Sequence, residues 1–211
     1  MIQAEELKVI FNIFIDLIQQ KNKIFKQINT FPLMIITISG KAGSGKSTVA
    51  RLLSEKLNLK HYSIGDLMRA MAHEKNLNLL ELNKLAEADK SIDLELDNKL
   101  KELGKTKDDF VVDGRLAAFF IPNAQVKVFL ETDDRVRAER ILKDKREQEK
   151  SKDLDEMISK IRRREESEKK RYKQYYGADY FDKKLYNFVI DTTNLNPNQV
   201  VEKIMVFVRK K

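Results

Sequence analysis

Residues 34 to 47 read Met34-Ile35-Ile36-Thr37-Ile38-Ser39-Gly40-Lys41-Ala42-Gly43-Ser44-Gly45-Lys46-Ser47. An apolar, β-branched run feeds a complete G-x-x-x-x-G-K-[ST] loop, after which Val49, Leu52, Leu53 and Leu57 recur at helical spacing. Strand, glycine-rich loop and helix in that order make a cradle for a polyphosphate. Gly40, Gly43 and Gly45 let the backbone turn its N–H groups inward, and the helix starting near Lys46 adds the positive end of its dipole. The phosphates are expected to lie against Gly40, Lys41, Ala42, Gly43, Ser44, Gly45, Lys46, Ser47 and Thr48. Lys46 would reach the β- and γ-phosphates, and the Ser47 hydroxyl would take a Mg²⁺ coordination position.

At 211 residues the chain is long enough for one well-cored domain with a short appendage. It has no cysteine and two histidines, which excludes a disulfide framework, a thiolate metal site and a cysteine nucleophile, and argues against a histidine-rich metal centre. That usage suits a reducing compartment, so a cytoplasmic location is expected. No uninterrupted apolar run of about 18 residues occurs, and no membrane span is expected. The net charge of +8 is unevenly placed, with 16 Lys and Arg against 10 Asp and Glu between Arg135 and Lys173. Such a segment suits either a nucleic acid or the phosphates of a small substrate. Beside a phosphate loop, and with Glu165, Glu166 and Glu168 interleaved among the cations, the small substrate is the expectation and nucleic acid is not an expected partner.

Residues 1 to 33 read as one amphipathic helix. Glu5, Lys8, Asn12, Asp16, Gln19 and Lys23 form a polar stripe, and Leu7, Ile10, Phe11, Phe14, Leu17 and Ile18 cover the rest. Such a face could pack on the domain, on a second copy or at a membrane surface; an added packing helix, or residues upstream of a true start at Met34, is the expectation over a functional anchor. Beyond the loop, Lys60-His61-Tyr62, Phe110 to Asp113, Gln125 to Leu130 and Asn187 to Asp191 are short strand candidates. Helices are expected over Leu67 to Lys75, Leu77 to Ala88, and Ser91 to Leu103 with Gly104 as its C-terminal cap. A charged helical region runs from Asp134 to Tyr176 with a break near Ser151, and Asn196 before Pro197 starts a last helix. Strands alternating with helices give an α/β fold, a five-stranded parallel sheet with helices on both faces.

Further motifs fall where the carboxyl ends of the strands should lie, the usual ligand edge of such a sheet. Ser63-Ile64-Gly65-Asp66 precedes Arg69, which could hold a second phosphate group. Asp113-Gly114-Arg115 closes the third strand; Gly114 turns the chain and Arg115 points a guanidinium fork into the crevice. Asp89, Asp93 and Asp97 share a helical face at spacing i, i+4, i+8, where like charges weaken a helix by about 0.2 to 0.5 kcal/mol per pair. A solvated acidic face is the leading reading. The other has Asp93 accepting from an amino group of a bound base.

These stretches, together with Ala86-Glu87-Ala88-Asp89, Val136-Arg137, Arg140-Ile141, Arg164-Glu165-Glu166-Ser167-Glu168, Arg171-Tyr172 and Tyr176-Gly177, make residues 34 to 211 resemble the nucleoside monophosphate kinases, in particular the archaeal-type cytidylate kinases. The resemblance implies a P-loop NTPase fold with a monophosphate-binding helical flap at about 64 to 104 and a helical lid at about 137 to 171. It implies transfer of the γ-phosphoryl group of ATP to CMP or dCMP with Mg²⁺; an adenylate kinase or another small-molecule kinase stays open, and an RNA-binding ATPase is the alternative of a different class. Under this resemblance Ser63, Gly65, Asp66, Arg69, Asp93, Asp113, Gly114 and Arg115 would bind the acceptor. Lys46, Arg115, Arg137, Arg140, Arg164 and Arg171 would serve catalysis, with Arg137 and Arg140 opening the lid and Arg164 and Arg171 closing it. The pattern departs at Asp144, where related sequences carry another arginine and where Lys145 and Arg146 follow instead, and at Asp113, where many carry glutamate.

Overall fold

The computed structural model describes residues 34–144 and 151–210. The helix expected over residues 1 to 33 lies outside the described residues, as do Lys145 and Arg146.

Five strands form one parallel sheet in the order β2-β3-β1-β4-β5, with β1 Ile35–Gly40, β2 Lys60–Ser63, β3 Phe110–Asp113, β4 Val126–Glu131 and β5 Phe188–Asp191. Every residue of β1 and of β3 is buried, as the continuous apolar runs require of strands covered on both faces. The register decides where the site lies. Asp113 pairs with Ile38 of β1 on one side and Ser63 of β2 on the other, and Gly40 pairs with Leu130. The phosphate loop, Ser63 and Asp113 thus leave the sheet together at one edge.

The crossovers are helical. Helix α1, Lys46–Leu57, ends at Asn58 in the left-handed conformation. Helices α2 (Ile64–Glu74), α3 (Leu79–Ala88) and α4 (Lys90–Thr106) form a separate layer whose apolar faces meet through Met68, Met71, Leu79, Leu82, Ile92 and Leu96. Helix α2 begins before the expected Leu67, because the Ser63 hydroxyl accepts from the Asp66 amide at 3.3 Å and caps it. The expected cap at Gly104 is corrected: α4 continues through it to Thr106. A Cβ at Gly104 would stand 3.1 Å from two carbons of Ile121, so the glycine is there for close packing rather than for a turn.

A short helix α5, Ala117–Phe120, follows β3. Helices α6 (Asp134–Lys143) and α7 (Leu154–Tyr176) divide the charged region and pack through Ala138, Met157 and Ile161 against Ala42 of the phosphate loop. Helix α8, Pro197–Val208, starts with a reciprocal capping box between Asn196 and Gln199.

Candidate functional site

The loop after β1 takes its shape from three glycines at φ 146° (Gly40), 74° (Gly43) and 89° (Gly45). Two also have no room for a side chain: a Cβ would stand 2.5 Å from the Leu130 carbonyl at Gly40 and 2.6 Å from the Arg137 carbonyl at Gly43. Gly45 precedes α1 without any side-chain cap, so the first-turn N–H groups face outward as an anion site requires. The loop opens onto a cavity of about 770 Å³. Ala42 through Thr48 line it, together with Ile64, Gly65, Met68 and Arg69 of α2 and Asp93, Leu96, Asp97 and Leu100 of α4. Gly114, Arg115, Arg140 and Arg164 border the same space.

Lys46 is half-buried and donates from Nζ to the Lys41 carbonyl at 2.6 Å. Burial first, and the neighbouring Arg115 cation second, push its pKa down to about 7, so at neutral pH a large part of the population carries no charge there. A bound polyphosphate would reverse the balance by supplying the missing anion.

Beside it, the Ser47 hydroxyl donates to Asp113 Oδ2 at 2.7 Å, the Ser63 hydroxyl donates to the same oxygen at 3.3 Å, and His61 Nε2 lies 2.7 Å from Oδ1. Asp113, expected on the acceptor side, thus joins Ser63 of that side to Ser47 of the phosphate loop. A carboxylate and a hydroxyl are the hard oxygen donors that Mg²⁺ takes from a protein. No group of three His, Cys, Asp or Glu able to hold a metal occurs among the described residues. Ser47 and Asp113 thus fit an ion that depends on phosphates and water for its remaining ligands.

The arginines separate into two groups. Arg115 and Arg164 converge on one buried carboxylate, Glu168: Arg115 ion-pairs with it, and Arg164 Nε donates to it at 2.9 Å. Burial opposes ionisation of Glu168, but the two cations outweigh that and hold its pKa below the ordinary carboxylate value. Arg115 Nη2 is buried with no hydrogen-bond partner among the described residues. Arg140 reaches back to the loop after β5, donating to the Thr192 carbonyl at 2.8 Å, and its Nη1 lies 4.0 Å from where a Cβ on Gly45 would be. Arg69 borders the cavity and pairs with Asp66.

Arg137 and Arg171 do not border the cavity. Arg137 is fully buried beneath the phosphate loop, where it donates to the Ala42 carbonyl at 3.0 Å and pairs with Glu165 and Asp134. Arg171 donates to the Asn83 carbonyl at 2.9 Å and lies 3.4 Å from Asp93, joining α7 to α3 and α4. Lys41 turns its ammonium toward Glu165 and Asp134, so only its backbone faces the loop. Asp66 is largely exposed and Ser63 acts through its cap and through Asp113.

The acidic run on α4 is not a solvated face. Asp89 is exposed and caps the helix through the Ser91 amide at 2.9 Å, but Asp93 and Asp97 are 3% and 5% exposed on the cavity wall. Burial raises the pKa of both, against the Arg171 cation in the case of Asp93, and pushes Asp97 up to about 6. Two carboxylates to which the sequence assigns no site role, Glu168 and Asp97, also border the cavity. The signal for Glu168 was its spacing of i, i+4 from Arg164, and for Asp97 its place one turn beyond Asp93.

Residues 35–194 match the model of the cytidylate kinase-like family. The cytidylate kinase of Haloarcula marismortui is 39% identical over 80% of this chain and 85% of its own length. That of Methanosphaera stadtmanae is 38% identical over 84% of this chain and 99% of its own. Among solved structures, a shikimate kinase from Bacteroides thetaiotaomicron superposes with a TM-score of 0.60 at 16% identity, covering 84% of this chain and 99% of that one. At that identity the likeness is one of fold.

Proposed function

The chain belongs to the cytidylate kinase-like family, and from that premise we propose that it transfers the γ-phosphoryl group of ATP to CMP or dCMP. The observation that carries the reading is one continuous cavity bordered by the phosphate loop and also by Arg69 and Arg115. A phosphoryl donor and a phosphorylated acceptor can meet there without crossing solvent.

In this reading the donor triphosphate lies on the N–H groups of the loop and the start of α1, with Lys46 regaining its charge against the β- and γ-phosphates. Arg69 and Arg115 hold the acceptor phosphate, and one of its oxygens attacks the γ-phosphorus. The new P–O bond forms as the bond from the γ-phosphorus to the β,γ-bridging oxygen breaks, and ADP leaves. No protein nucleophile is required. The transferring group spreads negative charge over its oxygens, and cations fixed in advance stabilise that charge with little reorganisation. Arg164 and Arg140 border the cavity and would serve this role, with Glu168 fixing Arg164 and Arg115 in relation to each other. Mg²⁺ would be held by Ser47 and Asp113, and when bound it would neutralise phosphate charge and orient the donor.

A coupled assay of ADP release with CMP, dCMP, UMP, AMP and shikimate as acceptors tests the proposal. The expected result is turnover with CMP and dCMP that depends on Mg²⁺ and is abolished in Lys46→Ala. A preference for AMP or shikimate, or ATP hydrolysis that no acceptor stimulates, would overturn it.

A further inference from the structure

Asp113 ends β3 at 1% exposure, and three side chains converge on its carboxylate. The Ser47 and Ser63 hydroxyls both donate to Oδ2, at 2.7 and 3.3 Å, whereas Oδ1 is left to His61, whose Nε2 stands 2.7 Å away. Among the described residues His61 is the one side chain that hydrogen-bonds Oδ1. An ionised carboxylate only accepts, so Nε2 carries the proton and donates. Ser47 and Asp113 border the cavity; His61 does not. Its imidazole therefore acts on the site through Asp113.

The sheet brings this contact about. Side chains two apart on a strand share a face, so His61 and Ser63 of β2 point the same way, and the register sets Ser63 beside Asp113. Strand β2 is an edge of the sheet, and the His61 side chain is 19% exposed there. An aliphatic residue at position 61 would suit such a strand equally well. It would leave Oδ1 a buried acceptor without a donor, which is unfavourable, and would free the carboxylate to turn about its last torsion.

We propose that His61 is a positioning residue for the Mg²⁺ site: its Nε2–H holds Asp113 by Oδ1 and so keeps Oδ2 beside the Ser47 hydroxyl, the two oxygens that would hold the ion. This inference rests on the proposed placement of Mg²⁺ and adds the group that orients it. A hydrogen bond that served stability alone would affect nucleotide binding alike with and without metal. One that orients a ligand acts when the metal is present.

The test is calorimetric titration with the non-hydrolysable β,γ-imido analogue of ATP, once in excess Mg²⁺ and once in EDTA, on the wild type, His61→Phe and His61→Gln. Phenylalanine keeps a ring and removes the donor; glutamine sets an amide N–H near the place of Nε2. The gain in affinity from Mg²⁺ is expected to fall about tenfold in His61→Phe, the lower end of what loss of a partner behind a metal ligand produces. It should return in His61→Gln, with the metal-free affinity the same in all three. A second reading needs no change at position 61. The chain has two histidines and His73 is exposed, so nitrogen NMR of the imidazole rings at pH 8, assigned with His73→Gln, isolates His61. Nε2 should carry its proton, and the ring resonances should move when Mg²⁺ is added to the analogue complex. A folded His61→Phe with the wild-type gain, a loss that is equal with and without Mg²⁺, or an Nε2 without its proton overturns the inference and leaves the proposed function standing. A wild type that gains nothing from Mg²⁺ overturns the metal placement in the proposed function, and the inference with it.

Discussion

Replacing Lys46 with methionine should stabilise the nucleotide-free protein at low pH and progressively less as pH rises. The Lys46 pKa falls from 10.5 in an exposed chain to about 7 in the fold, which corresponds to about 5 kcal/mol at 1.36 kcal/mol per pKa unit. Below pH 7 the ammonium is charged in both states and the fold bears the whole penalty. Between pH 7 and 10.5 the unfolded chain holds the proton and the folded chain does not, so stability rises with pH. Urea unfolding of the wild type and Lys46→Met at pH 6, 7, 8 and 9, without nucleotide, measures this. The variant's advantage should be largest at pH 6 and shrink by about 1.4 kcal/mol per pH unit above 7; the contributions of other groups cancel in the difference. An advantage that stays constant from pH 6 to 9 would refute the reasoning, because it would mean that Lys46 titrates alike in both states. The same linkage predicts that ATP binding at pH 8 takes up close to one proton, seen as a calorimetric enthalpy that varies with the ionisation enthalpy of the buffer.

Glu168→Gln leaves Arg115 and Arg164 without their shared carboxylate, and a loss of about 3 to 5 kcal/mol is expected in denaturant unfolding, with a weaker acceptor KM. Arg137→Ala and Arg140→Ala should diverge: the first removes a fully buried ion pair beneath the phosphate loop and should lower stability by about 3 to 5 kcal/mol, whereas the second should keep most of the stability and lose turnover, as separate measurements of unfolding and kcat would show. Gly104→Ala forces a methyl to within 3.1 Å of Ile121, and a fall of about 1 to 3 kcal/mol is expected from overpacking, read as a lower melting temperature with the acceptor preference unchanged.

The sheet was legible because every strand but the polar Lys60–Ser63 carries a short apolar run, and Gly40 to Ser47 announced both the crossover and its ligand edge. What stayed hidden depended on packing. Gly104 looks like a helix cap in one dimension and becomes a contact surface only when Ile121 arrives from beyond β3. The four residues of α5 are too few to show a periodicity. Arg137 and Arg140 stand three apart on α6 and carry the same charge, yet the way α6 lies against the phosphate loop buries the first against the Ala42 carbonyl and the Glu165 carboxylate and leaves the second at the cavity rim. Asp93 and Asp97 read as a solvated face because sequence counts charges without knowing which side of α4 meets α7.

The contact between the phosphate loop and α6 has a consequence for how this protein can change. In sequence the loop looks portable, a self-contained phrase from Gly40 to Ser47. In the fold it is incomplete without a partner 95 residues after Ala42: the Arg137 guanidinium occupies the Ala42 carbonyl, and the Arg137 carbonyl fills the space a side chain at position 43 would need. A side chain at 43 would meet the backbone of α6 whatever residue stood at 137, and loss of the Arg137 guanidinium would free the Ala42 carbonyl, so the loop depends on α6 twice over. The loop and the first turn of α6 form a single heritable unit, and a graft of one into another scaffold would carry the motif without the brace that holds its shape.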